Sequence, residues 1–130
     1  MLQDRFFWTL FAILALVALV HLWGLYDGGY VNLKWLDFVT HFLGGAWGGG
    51  IMVWLLRQNA RKLFLRQSAY LVAGIAALFI GVGWEIFEIF IDPLLTGEPG
   101  YISDSLLDLT MDAGGGISAA FLFLWFRKKK

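Results

Sequence analysis

Residues 81–92 read Gly-Val-Gly-Trp-Glu-Ile-Phe-Glu-Ile-Phe-Ile-Asp and close a long apolar segment, yet they include two glutamates. A carboxylate inside a membrane span is energetically unfavourable, so such residues usually face a bundle interior or a wet cavity. Glu85 and Glu88 are three residues apart, and a helix places them on one face with Gly81 and Asp92. The stretch therefore predicts a membrane helix with a polar stripe, for which the other spans must supply partners.

The composition of the 130-residue chain indicates an integral membrane protein. Hydrophobic residues make up 59% of the sequence and charged residues only 15%, against about 25% in soluble proteins. A soluble domain of this length would leave too much apolar surface in water. One transmembrane domain over residues 1–130 is expected. The chain contains no cysteine, which excludes disulfides and cysteine-ligated metal sites.

Four apolar segments are long enough to cross a bilayer, which takes about 20 helical residues. We therefore predict an all-α fold, a membrane four-helix bundle. The predicted spans cover approximately residues 6–24, 35–56, 68–91 and 104–126. The first segment is long for a signal peptide and no small-residue cleavage site follows it, so we expect it to be retained as a helix.

Basic residues are concentrated on one side of the predicted bundle. With four spans, both termini and the middle loop share a side, and this side contains every Lys and Arg except Lys34. The positive-inside rule then predicts that both termini are cytoplasmic. We expect a multi-pass protein of the bacterial inner membrane, with the acidic loops facing outward.

The ionisable residues of three spans are predicted to meet at one depth. Asp37 and His41 lie near the start of the second span, and the two glutamates lie near the end of the third. At about 1.5 Å per residue, these positions share the outer half of the bundle with the first turns of the fourth span. The candidate metal ligands are His41, Glu85, Glu88, Asp108 and Asp112, and further polar residues of the site are Asp37 and Asp104.

Small residues continue both polar stripes toward the cytoplasmic side, as Gly44 and Gly48 in the second span and Gly115 in the fourth. Small residues allow membrane helices to approach closely, so we expect a bundle that is pinched in its inner half and open in its outer half. Asp104 is explained more readily as a helix cap than as a ligand. Asp108 fits a capping box with Ser105 as well as it fits the site.

Two arrangements could hold several acids together. One is a bound cation, and carboxylates with a single histidine favour a hard or borderline ion such as Mg²⁺, Mn²⁺, Ca²⁺ or Zn²⁺. The other is proton sharing, in which at least one of Glu85 and Glu88, near a helix C-terminus, is protonated when no metal is bound. A di-iron bundle normally uses two Glu-x-x-His pairs, and the sequence contains none. No organic cofactor is expected.

The motifs at these residues resemble the VanZ-like bacterial membrane proteins, and more closely the uncharacterised YjdF-type inner-membrane family. The matching elements are Asp37-x3-His41 before a Gly-Gly pair, the 81–88 segment, and Asp108-x3-Asp112-x2-Gly. VanZ-like proteins usually have asparagine where Asp112 stands and a basic residue upstream of the fourth span, which residues 99–103 lack. The resemblance implies a small multi-span inner-membrane protein and, for VanZ itself, low-level resistance to teicoplanin-type antibiotics.

Three functions are compatible with the pattern. The leading hypothesis is a divalent-cation-dependent protein that acts on the head group of an envelope lipid or cell-wall precursor, although no nucleophile–base pair is evident. The alternatives are a cation or proton carrier and a non-catalytic membrane protein with a structural polar network. Membrane lipids are the expected partners, no nucleic-acid partner is expected, and homo-oligomerisation stays open.

Overall fold

A computed structural model of the chain describes residues 5–26, 33, 35–59 and 66–128. These residues form four long α-helices and one 3₁₀ turn, with no β-strand among them. The helices are α1 (Arg5–Tyr26), α2 (Trp35–Asn59), α3 (Arg66–Ile91) and α4 (Tyr101–Lys128), and the turn is Leu95–Gly97. All four helices are long and apolar enough to cross a membrane, so the prediction of an all-α membrane protein with four spans is confirmed.

The helix boundaries agree with the predicted spans except at the start of α4. This helix begins at Tyr101 rather than at Asp104, because Gly100 adopts a φ of 92° and turns the chain into the helix. The Gly100 carbonyl accepts the Asp104 amide, so Asp104 already lies in the first turn. The capping roles considered for Asp104 and Ser105 are therefore wrong. Residues 27–30 and 60–65, which belong to the connections between the predicted spans, lie outside the described residues.

The contacts between helices define an alternating topology. Going along α2 from Gly45 to Gly49, the closest residues on α4 run from Asp112 to Gly116, so these two helices are parallel. Contacts of α3 run the opposite way, since Gly81 meets Asp112 and Ala73 meets Gly116. The parallel pair α2 and α4 forms the most extensive interface, and α3 packs against both. Residues that lie at the same level along α2, α3 and α4 are therefore neighbours in the bundle.

Two ends of the bundle can be distinguished by the charges of the sequence. The acidic end is where α1 ends, α2 begins, α3 ends and α4 begins, and it includes Asp92, Glu98 and Asp104. The basic end is the opposite one, where Arg5, Arg57 and Arg66 lie within the terminal turns of their helices.

The basic half of the bundle is filled by aromatic and small side chains. Phe6 of α1 is buried and meets Phe123 of α4 edge to face, with 5.2 Å between ring centroids. Phe7 packs against Trp54 of α2, and the Arg57 guanidinium lies 5.5 Å from the Phe123 centroid. This half contains the hydrophobic core of the bundle, and the acidic half contains a cavity instead.

Candidate functional site

A cavity of about 840 Å³ lies in the acidic half and is lined by all four helices. Its volume falls within the range of about 300–1,000 Å³ that is usual for small-molecule sites. His41 and Gly44 of α2 line its deeper part together with Gly81 of α3 and Asp112 of α4. The cavity therefore lies where the sequence predicts the polar site.

The deepest polar contact of the site joins α2 to α4. His41 Nδ1 lies 3.0 Å from Asp112 Oδ2, and both side chains are buried, with exposed fractions of 6% and 3%. In the neutral ring Asp112 accepts the Nδ1–H, and Nε2 then carries no proton and can act as a metal ligand. Nε2 lies on the side of Asp37, 3.9 Å from its Oδ1.

Two glycines make room for Asp112. A Cβ at Gly45 would overlap the backbone of Asp112, so the absence of a side chain lets α2 and α4 approach at this level. A Cβ at Gly81 would overlap the Asp112 carboxylate itself. Because neither glycine has a side chain, Asp112 has the space it needs to contact His41.

Asp37, His41 and Asp108 form a group that can hold a metal ion. Each offers one donor atom, and the three atoms lie within 4.8 Å of one another. His41 and Asp108 are buried, with Asp108 only 4% exposed, and Asp37 is half-buried. Two carboxylate oxygens and one imidazole nitrogen are donors that suit Mg²⁺, Mn²⁺, Ca²⁺ or Zn²⁺.

Two buried carboxylate oxygens lack a hydrogen-bond partner within the described part of the chain. They are Asp108 Oδ1 and Glu85 Oε1, and the Glu85 side chain is only 8% exposed. Buried polar atoms are almost always hydrogen-bonded, and an exception calls for a cause such as an ion or a water. Asp108 belongs to the metal-compatible group, so an ion bound there would satisfy its free oxygen.

Aromatic side chains form the wall of the cavity between α1 and α3. The Trp84 indole donates its Nε1–H to Glu88 Oε1 over 2.8 Å, across one turn of α3. The His21 ring of α1 meets the Trp84 ring nearly at right angles, with 5.2 Å between centroids. Trp84 therefore connects a polar residue of α3 with the first helix.

The electrostatics of the cavity favour cations. Six carboxylates line it, and among the described residues no lysine or arginine does. The two histidines are the basic groups of the lining. The lining carboxylates are those of Asp37, Glu88, Asp92, Glu98, Asp104 and Asp112. Repulsion among so many acids in a partly buried site is relieved most directly by a bound cation.

The structure separates the predicted site residues into three sets. His41 and Asp108 lie with Asp37 in the metal-compatible group. Asp37 is therefore a candidate ligand, whereas the sequence places it only among the further polar residues of the site. Asp112 contacts His41 from the side opposite Asp37. Glu88 and Asp104 line the cavity nearer its acidic end. Glu85 is buried and, like Asp108, is not among the residues that line the cavity.

Some residues of the site were not found from the sequence. The sequence assigns neither His21 nor Trp84 to the candidate site, yet both line the cavity. The i, i+4 spacing of Trp84 and Glu88 is the signal that was available for their hydrogen bond. Gly44 was expected to pack closely, but a Cβ there would meet no atom within 4 Å. Its neighbour Gly45 is the residue at which the helices approach.

Comparison with known proteins assigns the chain to a family through its sequence, and no relative of known function or structure was found. Neither a curated protein nor a solved structure matches the chain significantly. One family matches nearly the whole chain, and its description gives a membrane location without an activity. The match covers residues 3–129, and the chain belongs to the family described as "Predicted membrane protein (DUF2238)".

Proposed function

We propose that this protein binds one divalent cation between Asp37, His41 and Asp108 and uses it to act on an anionic head group of an envelope lipid or cell-wall precursor. The observation that carries the proposal is the buried donor group itself, in which Asp108 Oδ1 has no partner among the described residues. The His41 ring is oriented by Asp112. A histidine held by a carboxylate through its second nitrogen is the usual arrangement in metal sites.

The cation explains why so many acids tolerate one another in an apolar protein. Each buried carboxylate costs free energy unless it is paired or bound to a metal. A bound cation would offset the charge of Asp37 and Asp108. It would also neutralise a phosphate and lower the pKa of a coordinated water, which is the chemistry that a metal supplies to hydrolytic or transfer reactions at phosphate.

The position and size of the cavity support a head group as the substrate. The cavity lies in the acidic half of a bundle whose four helices can cross the membrane, so it lies near one membrane surface. The distribution of lysine and arginine in the sequence supports placing the acidic end outside the cytoplasm and both termini inside, in a bacterial inner membrane. The resemblance to VanZ-like and YjdF-type proteins supports the same setting.

A carrier is less well supported than a binding site that opens on one side. No Asp, Glu or His occurs within 42–59 of α2, 66–80 of α3 or 113–128 of α4. The described residues of the basic half therefore offer no acid that could continue a chain of proton or cation sites across the membrane. That half is also filled by the aromatic core around Phe6 and Phe123.

Cation binding by the purified chain tests the proposal. The full chain is purified in detergent, stripped with a chelator, and titrated calorimetrically with Mg²⁺, Mn²⁺, Ca²⁺ and Zn²⁺ in separate experiments. We expect saturable binding of one ion per chain by at least one of these cations. If none of the four cations binds, the proposal is refuted, and a structural polar network becomes the preferred interpretation of the site. Release of phosphate-containing products from envelope lipids then tests the head-group activity separately.

A further inference from the structure

The first helix contacts the bundle unevenly along its length. At the basic end, α1 packs through Phe6 and Leu10, which are both 2% exposed. From Ile13 to Tyr26 no large apolar side chain that the structure describes is buried, and Leu19 is 67% exposed, although Trp8 and Phe11 nearer the basic end are exposed as well. No Cα atom of α1 lies within 8 Å of a Cα atom of α3 in the described parts of the two helices. The two helices thus face each other across the cavity without backbone contact.

The side of the cavity between these helices has a mixed character. Val17 and His21 of α1 line it on one side, and Ile80 and Trp84 of α3 on the other. We call this gap the lateral opening. Its rim is apolar at Val17 and Ile80, whereas the floor behind it contains His41 and the carboxylates. A molecule with an apolar tail and a polar head group fits this arrangement, with its tail at the rim and its head group at the floor.

We propose that the substrate is a lipid-anchored molecule that loads sideways from the membrane through the lateral opening, so that its head group reaches His41 while its tail stays between α1 and α3. This inference rests on the proposed function. It adds that the molecule with the head group enters from the bilayer and not from water. The rings of His21 and Trp84 meet across the opening and must part when the substrate passes. Because α1 is packed at its basic end, its acidic-end half can move without breaking the aromatic core.

A single fluorescent label in the cavity can report the arrival of a head group. The chain contains no cysteine, so Thr40→Cys provides one labelling site. Thr40 lines the cavity, lies outside the metal-compatible group, and its hydroxyl bonds to carbonyls of its own helix. The full chain is labelled with bimane and placed in nanodiscs that contain a phospholipid with a nitroxide on its choline head group. The matching nitroxide phosphocholine, which has the same phosphate-containing head group but no acyl tail, is the water-borne control probe.

Two substitutions on α1 separate the lateral opening from general effects on the helix. Val17→Phe narrows the opening, whereas Leu19→Phe adds a ring to an exposed position two residues away. We expect the nitroxide phospholipid to quench the bimane, and Val17→Phe to abolish most of this quenching while Leu19→Phe leaves it unchanged. Val17→Ala widens the opening and should raise the quenching, which guards against a folding defect in the bulky variant.

Equal quenching in Val17→Phe and Leu19→Phe would overturn lateral loading, and so would quenching no stronger than that by the tail-less probe. Cation binding by the Val17→Phe chain is measured on the same samples and should match the unsubstituted protein. If the unsubstituted protein binds no cation, the proposed function fails, whatever the quenching shows. If it binds a cation but the quenching pattern fails, only the lateral route is lost.

Discussion

Gly81 on α3 lies so close to Asp112 on α4 that a Cβ at position 81 would overlap Asp112 Oδ2. The same oxygen contacts His41 Nδ1 on α2 at 3.0 Å. A missing side chain on one helix therefore fixes a carboxylate on a second helix, and that carboxylate orients an imidazole on a third.

Gly81→Ala should weaken cation binding while the bundle stays folded. The added methyl group displaces the Asp112 carboxylate from His41, and loss of such a supporting contact typically costs about 10- to 100-fold in metal affinity. Calorimetric titration of the purified variant measures the change. Gly83→Ala is the matched control, because a Cβ at position 83 meets no atom within 4 Å. Equal affinities of the two variants would contradict the role of Asp112.

His41→Asn should abolish cation binding, because it removes the one nitrogen donor of the metal-compatible group. His21→Asn removes the other histidine of the chain, which lies against Trp84 and outside this group. It should retain binding. Both variants are titrated with the cation that the unsubstituted protein binds best, and helicity is compared by circular dichroism. Retained binding in His41→Asn would place the ion elsewhere.

Asp108→Asn should have opposite effects with and without the cation. Without the cation, Asp108 is a buried carboxylate with an unpartnered oxygen in the described chain, and removal of its charge should stabilise the protein by about 1–3 kcal/mol. With the cation present, the variant lacks a ligand and gains no further stability. Thermal unfolding in detergent, with a chelator and then with the cation, measures both. A variant less stable than the unsubstituted protein in chelator would argue against this account.

Neighbouring glycines of the interface between α2 and α4 should respond differently to alanine. A Cβ at Gly45 would overlap the Asp112 backbone, and one at Gly115 would overlap the Phe42 backbone. Forcing apart such a contact usually costs about 1–3 kcal/mol. Gly44→Ala and Gly114→Ala are the controls, since their Cβ atoms meet no atom under 3.8 Å. Their unfolding temperatures should stay equal or rise, because alanine favours a helix over glycine.

The orientation in the membrane can be tested by cysteine labelling of intact cells. Thr96→Cys lies between α3 and α4 at the acidic end, and Asn59→Cys lies at the end of α2 at the basic end. A membrane-impermeant maleimide should label position 96 in intact spheroplasts and position 59 only after permeabilisation. The reverse pattern would place the cavity on the cytoplasmic side.

The sequence predicts the helices and the depth of the site well, because length, hydropathy and charge are sums over many residues. It does not resolve the rotation of one helix against another. Gly44 and Gly45 differ by one position, or about 100° around α2, yet one borders the cavity and the other touches α4. Only the packing of the whole bundle decides between them.

The roles within the site also depend on packing. Spacing places Asp112 on the same face as Asp108, but it cannot show that one contacts His41 Nδ1 while the other joins Asp37 near the free side of the ring. The start of α4 was misplaced because Asp104 and Ser105 are both good capping residues. Gly100, whose positive φ precedes a helix that begins three residues earlier at Tyr101, lies between the predicted third and fourth spans.

The uneven packing of α1 bears on how the protein is made. During synthesis α1 leaves the ribosome before α2 and α4, the helices that it touches. Membrane helices generally insert one by one and associate afterwards, so α1 must wait in the lipid until α2 and α4 present Trp54 and Phe123 to its aromatic end. Separately expressed α1 should therefore be able to join a bundle of the other three helices.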